Sequence, residues 1–121
     1  MLSRLYAKAH LLVLPSRADC TPMVAAEAMA HGTPVLASDV GGIGTVLGKG
    51  QGGHMLPLSS TPADWAQAIT QITSNSDLYR HLVDASFERA HGRLSWDSWA
   101  EGILTIAKTL ENAPRRRIAA A

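Results

Sequence analysis

A chain of 121 residues, of which 46% are apolar, is long enough for one globular domain with a single core. Its net charge of +1 argues against a nucleic-acid partner, and no apolar run approaches the length of a membrane span. The first ten residues lack the order of a secretion signal, and the single cysteine, Cys20, has no partner for an internal disulfide. We therefore expect a cytoplasmic protein.

Short apolar runs and a helical segment alternate in the first sixty residues. Residues 11–15 (LLVLP) and 34–38 (PVLAS) are typical of strands buried on both faces of a parallel sheet, and residues 54–56 (HML) predict a shorter third strand. The alanine-rich segment MVAAEAMAH, followed by Gly32, predicts a helix with a glycine cap. This order favours an α/β domain with a right-handed crossover.

The glycine-rich middle of the chain is followed by three predicted helices. Eight of the ten glycines lie between Gly32 and Gly53, which predicts turns around a short helix near residues 43–47. Next come a helix opened by TPAD at Thr61, a second over about 77–91 and a third after Ser95. We expect the following residues to face the core: Trp65, Ile69, Ile72, Tyr79, Leu82, Val83, Phe87, Ala90, Trp96, Trp99, Ile103, Ile106, Ala107 and Leu110.

The acidic residues are distributed unevenly. Ligands of an open parallel α/β sheet bind at the carboxyl ends of the strands. Only three of the ten acids, Asp19, Glu27 and Asp39, occur in the first sixty residues, and all three fall in these loops or in the helix that follows. An unpaired buried carboxylate is costly, so Glu27 needs hydrogen-bond donors, and ribose hydroxyls would suit it. Asp39 is equally suited to capping the Gly-Gly turn and to contacting a ligand.

The start of the first alanine-rich helix offers a second binding feature. Pro22 suits the first turn and Thr21 can cap it, so we place the helix start at Thr21-Pro22-Met23. The free backbone amides attract phosphate, but a helix dipole contributes only about 0.3 to 1 kcal/mol. A diphosphate should also need a cation, and the nearby candidates are Arg17 and Lys49. Arg17 has the alternative role of tying its loop to the sheet.

Taken together, these residues resemble the nucleotide-sugar-binding half of family-four retaining glycosyltransferases of the GT-B fold. The matching pattern is Asp19, seven residues, Glu27-Ala28-Met29, then Gly32-Thr33-Pro34-Val35 and the turn Gly41-Gly42. The likeness extends from about Ala7 to Leu110. It implies a Rossmann-like half-domain over residues 1–111, with a partial parallel sheet that lacks its first strands, flanking helices and three C-terminal helices. Residues 112–121 are expected to form a frayed tail.

The resemblance implies a role for each matching position. Glu27 would bind the ribose hydroxyls of a nucleoside-diphosphate sugar, and Asp19, the candidate catalytic residue, would meet the hydroxyls of the transferred hexosyl group. Transfer in this family retains the anomeric configuration and needs no metal and no cofactor. The donor-binding residues, with Arg17 added as the candidate cation, are Arg17, Thr21, Pro22, Met23, Val24, Glu27, Gly41 and Gly42.

Two departures from the family pattern limit what the chain is expected to do. Asp19 and Cys20-Thr21-Pro22 stand where the family has glutamate and Gly-Phe-Gly, which leaves the donor sugar open. The family's basic pair for the diphosphate and its acceptor domain lie upstream of the helix at residues 2–8. We therefore expect no turnover by the chain alone, and contact with a membrane only in a full enzyme.

Three alternatives belong to other functional classes. The chain could be a non-catalytic remnant that binds a nucleotide or forms a homodimer through the open sheet edge. Cys20, at a helix start, could be a nucleophile, although a simple loop thiol is the plainer interpretation. The three tryptophans lie on helical stripes and are interpreted as core rather than as stacking platforms for a sugar or base.

Overall fold

The computed structural model describes residues 2–111, so Met1 and the predicted tail 112–121 lie outside the described residues. Within that range, helices and strands alternate up to the third strand, and three longer helices follow. The elements are α1 Leu2–Tyr6, β1 Leu12–Leu14, α2 Met23–Ala30, β2 Val35–Ser38, α3 Ile43–Leu47, β3 Gly53–Leu56, α4 Pro62–Ser74, α5 Ser76–Gly92 and α6 Trp96–Glu111.

The three strands form an open parallel sheet in the order β1-β2-β3. The predicted α/β architecture with flanking helices is confirmed. All four residues of β2 are buried, as predicted for a strand covered on both faces. The same expectation is wrong for β1, where Val13 is 39% exposed, because β1 is an edge strand. Its free edge has no neighbouring strand among residues 2–111.

The side chains of β2 divide the core into two parts. Val35 and Ala37 point to one face, where they pack in a cluster with buried residues of α2 and α3. Leu36 points to the other face, where it packs with Ala68 and Ile72 of α4. The sheet is therefore covered by helices on both sides, and its carboxyl edge stays free for loops.

The predicted glycine cap after α2 and the predicted N-cap of α4 are found. Helix α2 ends at Ala30, and a left-handed Gly32 follows, with the amides of Gly32 and Thr33 donating to Met29 O and Ala28 O at 2.9 and 3.0 Å. Thr61 precedes α4, and its amide donates to the Asp64 carboxylate at 2.7 Å while its hydroxyl accepts from the Asp64 amide.

The predicted inward stripes fit α4 and most of α5 but not α6. On α5, Leu82 and Ala90 are buried, whereas Phe87 is 49% exposed and stacks on His91 instead. No residue of α6 is buried, and Trp96 is 80% exposed, so the expectation that this stripe is core is wrong. The physical reason is that no other described element packs extensively against α6 and covers its apolar face.

None of the helices within residues 2–111 combines the length and the apolar character that crossing a bilayer requires.

Candidate functional site

The first turn of α2 presents free backbone amides at the carboxyl edge of the sheet. Pro22 is the N-cap residue, with extended backbone angles, and the helix begins at Met23. The amides of Met23 and Val24 donate no hydrogen bond to any residue of the described part, whereas Ala25 N donates to Pro22 O at 3.0 Å. The expected capping by Thr21 is wrong, because no side chain caps this helix. Thr21 is exposed and precedes the N-cap residue, Pro22, by one position.

The loop after β1 and the turn after β2 meet backbone to backbone. Gly42 N donates to Asp19 O at 3.1 Å. A Cβ atom on Gly41 would lie 2.0 Å from Asp19 O, and one on Gly42 would lie 1.7 Å from Cys20 O. Gly41 also has a positive φ of 52°, which favours glycine. The structure therefore brings Asp19 and the Gly41-Gly42 turn, two separate parts of the sequence pattern, into contact.

Glu27 lies on the exposed side of α2. Ala25, Ala28 and Met29 are fully buried on the other side of the helix, whereas Glu27 and Met23, one turn earlier, are exposed. The Glu27 carboxylate accepts a hydrogen bond from the Tyr6 hydroxyl at 3.1 Å. Because this is its one side-chain bond within residues 2–111, lone pairs of the carboxylate stay free for the hydroxyls of a ligand.

Tyr6 is a part of the site that sequence reasoning missed. Its ring is buried, and its carbonyl accepts a 2.7 Å hydrogen bond from the buried Thr33 hydroxyl. Burial raises the pKa of Tyr6, and the hydrogen bond to Glu27 raises it further, so the phenol stays protonated and donates. Tyr6 and Glu27 are 21 residues apart in sequence, and no short motif signals such a pair.

The two predicted cations, Arg17 and Lys49, line different cavities. Arg17 is exposed and lines a cavity of about 610 Å³ with Val13 and Trp65. It forms no ion pair or hydrogen bond within the described residues, so the predicted tie to the sheet is absent. Lys49 lines a separate cavity of about 710 Å³ that Gly41 borders.

Asp39 and Cys20 are both exposed near the Gly41-Gly42 turn. Asp39 lines the cavity of Lys49, and its amide donates to Leu56 O at 2.7 Å. Its side chain does not cap α3, whose N-cap residue Gly42 has no side-chain bond. Cys20 is a free thiol. No cluster of three potential metal ligands occurs within residues 2–111.

Known proteins with similar sequences show the family of this chain. The model of the family described as "Glycosyl transferases group 1" matches residues 1–75. The chain belongs to this family. Among curated relatives, it is 39% identical over 103 residues to a D-inositol 3-phosphate glycosyltransferase of Nocardia farcinica, covering 85% of the chain and 22% of the relative. A second such protein, from a Nocardioides species, is 37% identical over 105 residues, covering 87% and 22%.

Solved structures agree with this assignment. Sucrose-phosphate synthase from Thermosynechococcus elongatus matches with a TM-score of 0.74 and 31% identity, over 91% of the chain and 27% of that structure. A glycosyltransferase from Rickettsia africae shares the fold, with a TM-score of 0.68 and 21% identity, over 90% and 30%. This group 1 glycosyl transferase chain thus spans about a fifth to a third of the length of the proteins it matches.

Replacing Tyr6 tests the link to Glu27. In Tyr6→Phe the buried ring stays and the donor to Glu27 is lost, so we expect the free energy of unfolding to fall by about 1 kcal/mol. Urea unfolding followed by circular dichroism measures it. Tyr79→Phe is the control, since the hydroxyl of Tyr79 has no hydrogen bond within the described residues. Equal effects of the two substitutions would contradict the assigned bond.

Replacing Gly42 tests the contact between the two loops. In Gly42→Ala the added methyl group would overlap the Cys20 carbonyl, and we expect a loss of about 1 to 3 kcal/mol in the free energy of unfolding. Gly102→Ala is the matched control, because nothing lies within 4 Å of its Cβ position in α6. That substitution should stabilise the helix by about 0.5 to 1 kcal/mol. If Gly42→Ala unfolds at the same urea concentration as the parent, the two loops do not touch.

Proposed function

We propose that the chain is the donor-binding part of a glycosyltransferase that binds a nucleoside-diphosphate sugar and transfers its hexosyl group with retention of configuration. Three features of the loop after β1 and of the helix that follows it support this proposal. These are the backbone contact between Asp19 and Gly42, the free amides of Met23 and Val24, and the exposed Glu27 carboxylate.

Each feature suits one part of such a donor. Free amides at a helix start attract the phosphates. A carboxylate accepts hydrogen bonds from two vicinal ribose hydroxyls, at roughly 1.5 to 3 kcal/mol for each charged bond. The Tyr6 hydroxyl donates to Oε2 of Glu27, and the remaining lone pairs of the carboxylate would accept from the ribose hydroxyls. Asp19, half-buried in the adjoining loop, would meet the sugar hydroxyls.

The diphosphate needs more charge than this edge supplies. Arg17 and Lys49 line separate cavities, so they do not form a pair that could hold one diphosphate. Since the curated relatives are several times longer than this chain, further residues of an enzyme would complete the phosphate site and bind the acceptor. We therefore expect the 121-residue chain to bind nucleotides weakly and to lack turnover.

Calorimetry with UDP, GDP and ADP tests the donor site. We expect saturable binding of at least one nucleotide at millimolar concentration, and Glu27→Gln should weaken it by about tenfold or more through loss of the charged hydrogen bonds. Glu101→Gln is the control, because Glu101 is an exposed acid of α6. Absence of binding for all three nucleotides, or equal weakening by both substitutions, would refute the donor site.

A second candidate function is a dimerising module without turnover, and the exposed edge of β1 favours it. Val13 is exposed there beside the cavity that Trp65 lines, and the free backbone groups of an edge strand can pair with the same strand of a second copy.

Sedimentation equilibrium tests this second candidate. We expect a dimer at micromolar concentration that Val13→Lys converts to a monomer, because a charged side chain blocks edge pairing. Leu2→Lys, at an exposed position of α1, should leave the dimer intact. A parent chain that stays monomeric under these conditions removes the second candidate.

A further inference from the structure

Arg89 of α5 binds the last turn of α3. Its Nε donates to Val46 O at 2.6 Å, and its Nη2 donates to Thr45 O. The carbonyls at the end of a helix have no partner within it, and a cation there also opposes the negative end of the helix dipole. One guanidinium group, 43 residues away in sequence, therefore caps α3.

Helix α3 depends on such contacts. It has five residues, which is too short for a stable helix in water without tertiary support. A left-handed Gly48 ends it, and a Cβ atom there would lie 2.5 Å from the guanidinium carbon of Arg89. On the preceding turn of α5, the buried Ser86 hydroxyl donates to Gly52 O at 2.8 Å. The whole segment from α3 to β3 is thus held against α5.

Thr45 and Val46, whose carbonyls Arg89 binds, also connect Arg89 to the candidate donor site. Thr45 N and Val46 N both donate to Gly42 O, at 3.1 and 3.2 Å, while their carbonyls accept from Arg89. Gly42 in turn donates its own amide to Asp19 O. A continuous path of hydrogen bonds therefore runs from Arg89 through one helical turn to the loop of Asp19.

We propose that Arg89 is a positioning residue, which fixes α3 and through it the Gly41-Gly42 turn against the Asp19 loop. Its importance for nucleotide binding rests on the function proposed above. Lysine cannot replace it, because a single ammonium group lacks the planar fork that reaches two carbonyls at once.

The test compares Arg89→Met and Arg89→Lys in the 121-residue chain by amide hydrogen exchange at Gly42. We expect exchange to be about tenfold faster in both variants, because the amide loses its fixed position against Asp19 O. Arg80→Met is the charge-matched control on α5, because the partners of Arg80 within residues 2–111 are Asp77 and the Ser76 carbonyl of the same helix. Ile72→Val is the stability control, since it weakens the core cluster between β2 and α4 without touching α3.

The outcomes separate positioning from charge and from general stability. The proposal is supported if both Arg89 variants speed exchange at Gly42 beyond the effect of Ile72→Val. It is overturned if Arg89→Lys restores the parent rate, or if Ile72→Val at equal loss of stability has the same effect.

Nucleotide affinity adds a second measurement. Where UDP, GDP or ADP binds the parent chain, we expect Arg89→Met and Arg89→Lys to weaken it about tenfold and Arg80→Met to leave it unchanged. An unchanged affinity in the Arg89 variants overturns the link to the donor site. If no nucleotide binds the parent chain, the proposed function fails, and exchange at Gly42 still decides whether Arg89 positions the turn.

Discussion

The site depends on the close approach of two backbone segments at the carboxyl edge of the sheet. Gly42 donates to Asp19 O, and neither Gly41 nor Gly42 leaves room for a side chain against the loop. The two segments follow neighbouring parallel strands, whose carboxyl ends meet at one edge. Any Cβ atom at these two positions would push the loops apart, so the close approach requires glycine, which has no side chain. This contact sets where Asp19 can stand relative to α2.

Elements distant in sequence hold two parts of the candidate site in place. Tyr6 of α1 orients Glu27, and Thr33 fixes the Tyr6 backbone. Arg89 of α5 binds two carbonyls of α3 and so fixes the glycine turn that precedes this helix. Both α1 and α3 have only five residues, so neither would persist without these contacts. The candidate site is thus assembled from short elements whose conformation is set by tertiary hydrogen bonds.

Two apolar surfaces of the described residues have no cover. The stripe of α6 exposes Trp96 and Trp99, and the edge of β1 exposes Val13. Covering apolar surface gains roughly 25 cal/mol for each Å², so such surfaces favour association. As part of a glycosyltransferase, the chain would have these surfaces covered by further parts of a longer enzyme. As a dimerising module, it would have them covered by a second copy of the chain.

The sequence by itself determined the α/β architecture, the helix caps at Gly32 and Thr61, and the family. Local periodicity and spaced motifs carry this information. The sequence could not show that Pro22 replaces Thr21 as the cap, nor that the amphipathic stripe of α6 is uncovered, since periodicity shows which face is apolar but not what packs on it. Only the tertiary structure decided the partners of Glu27 and Val46. Tyr6 and Arg89 act across 21 and 43 residues, and such contacts arise from the packing of whole elements rather than from any local pattern.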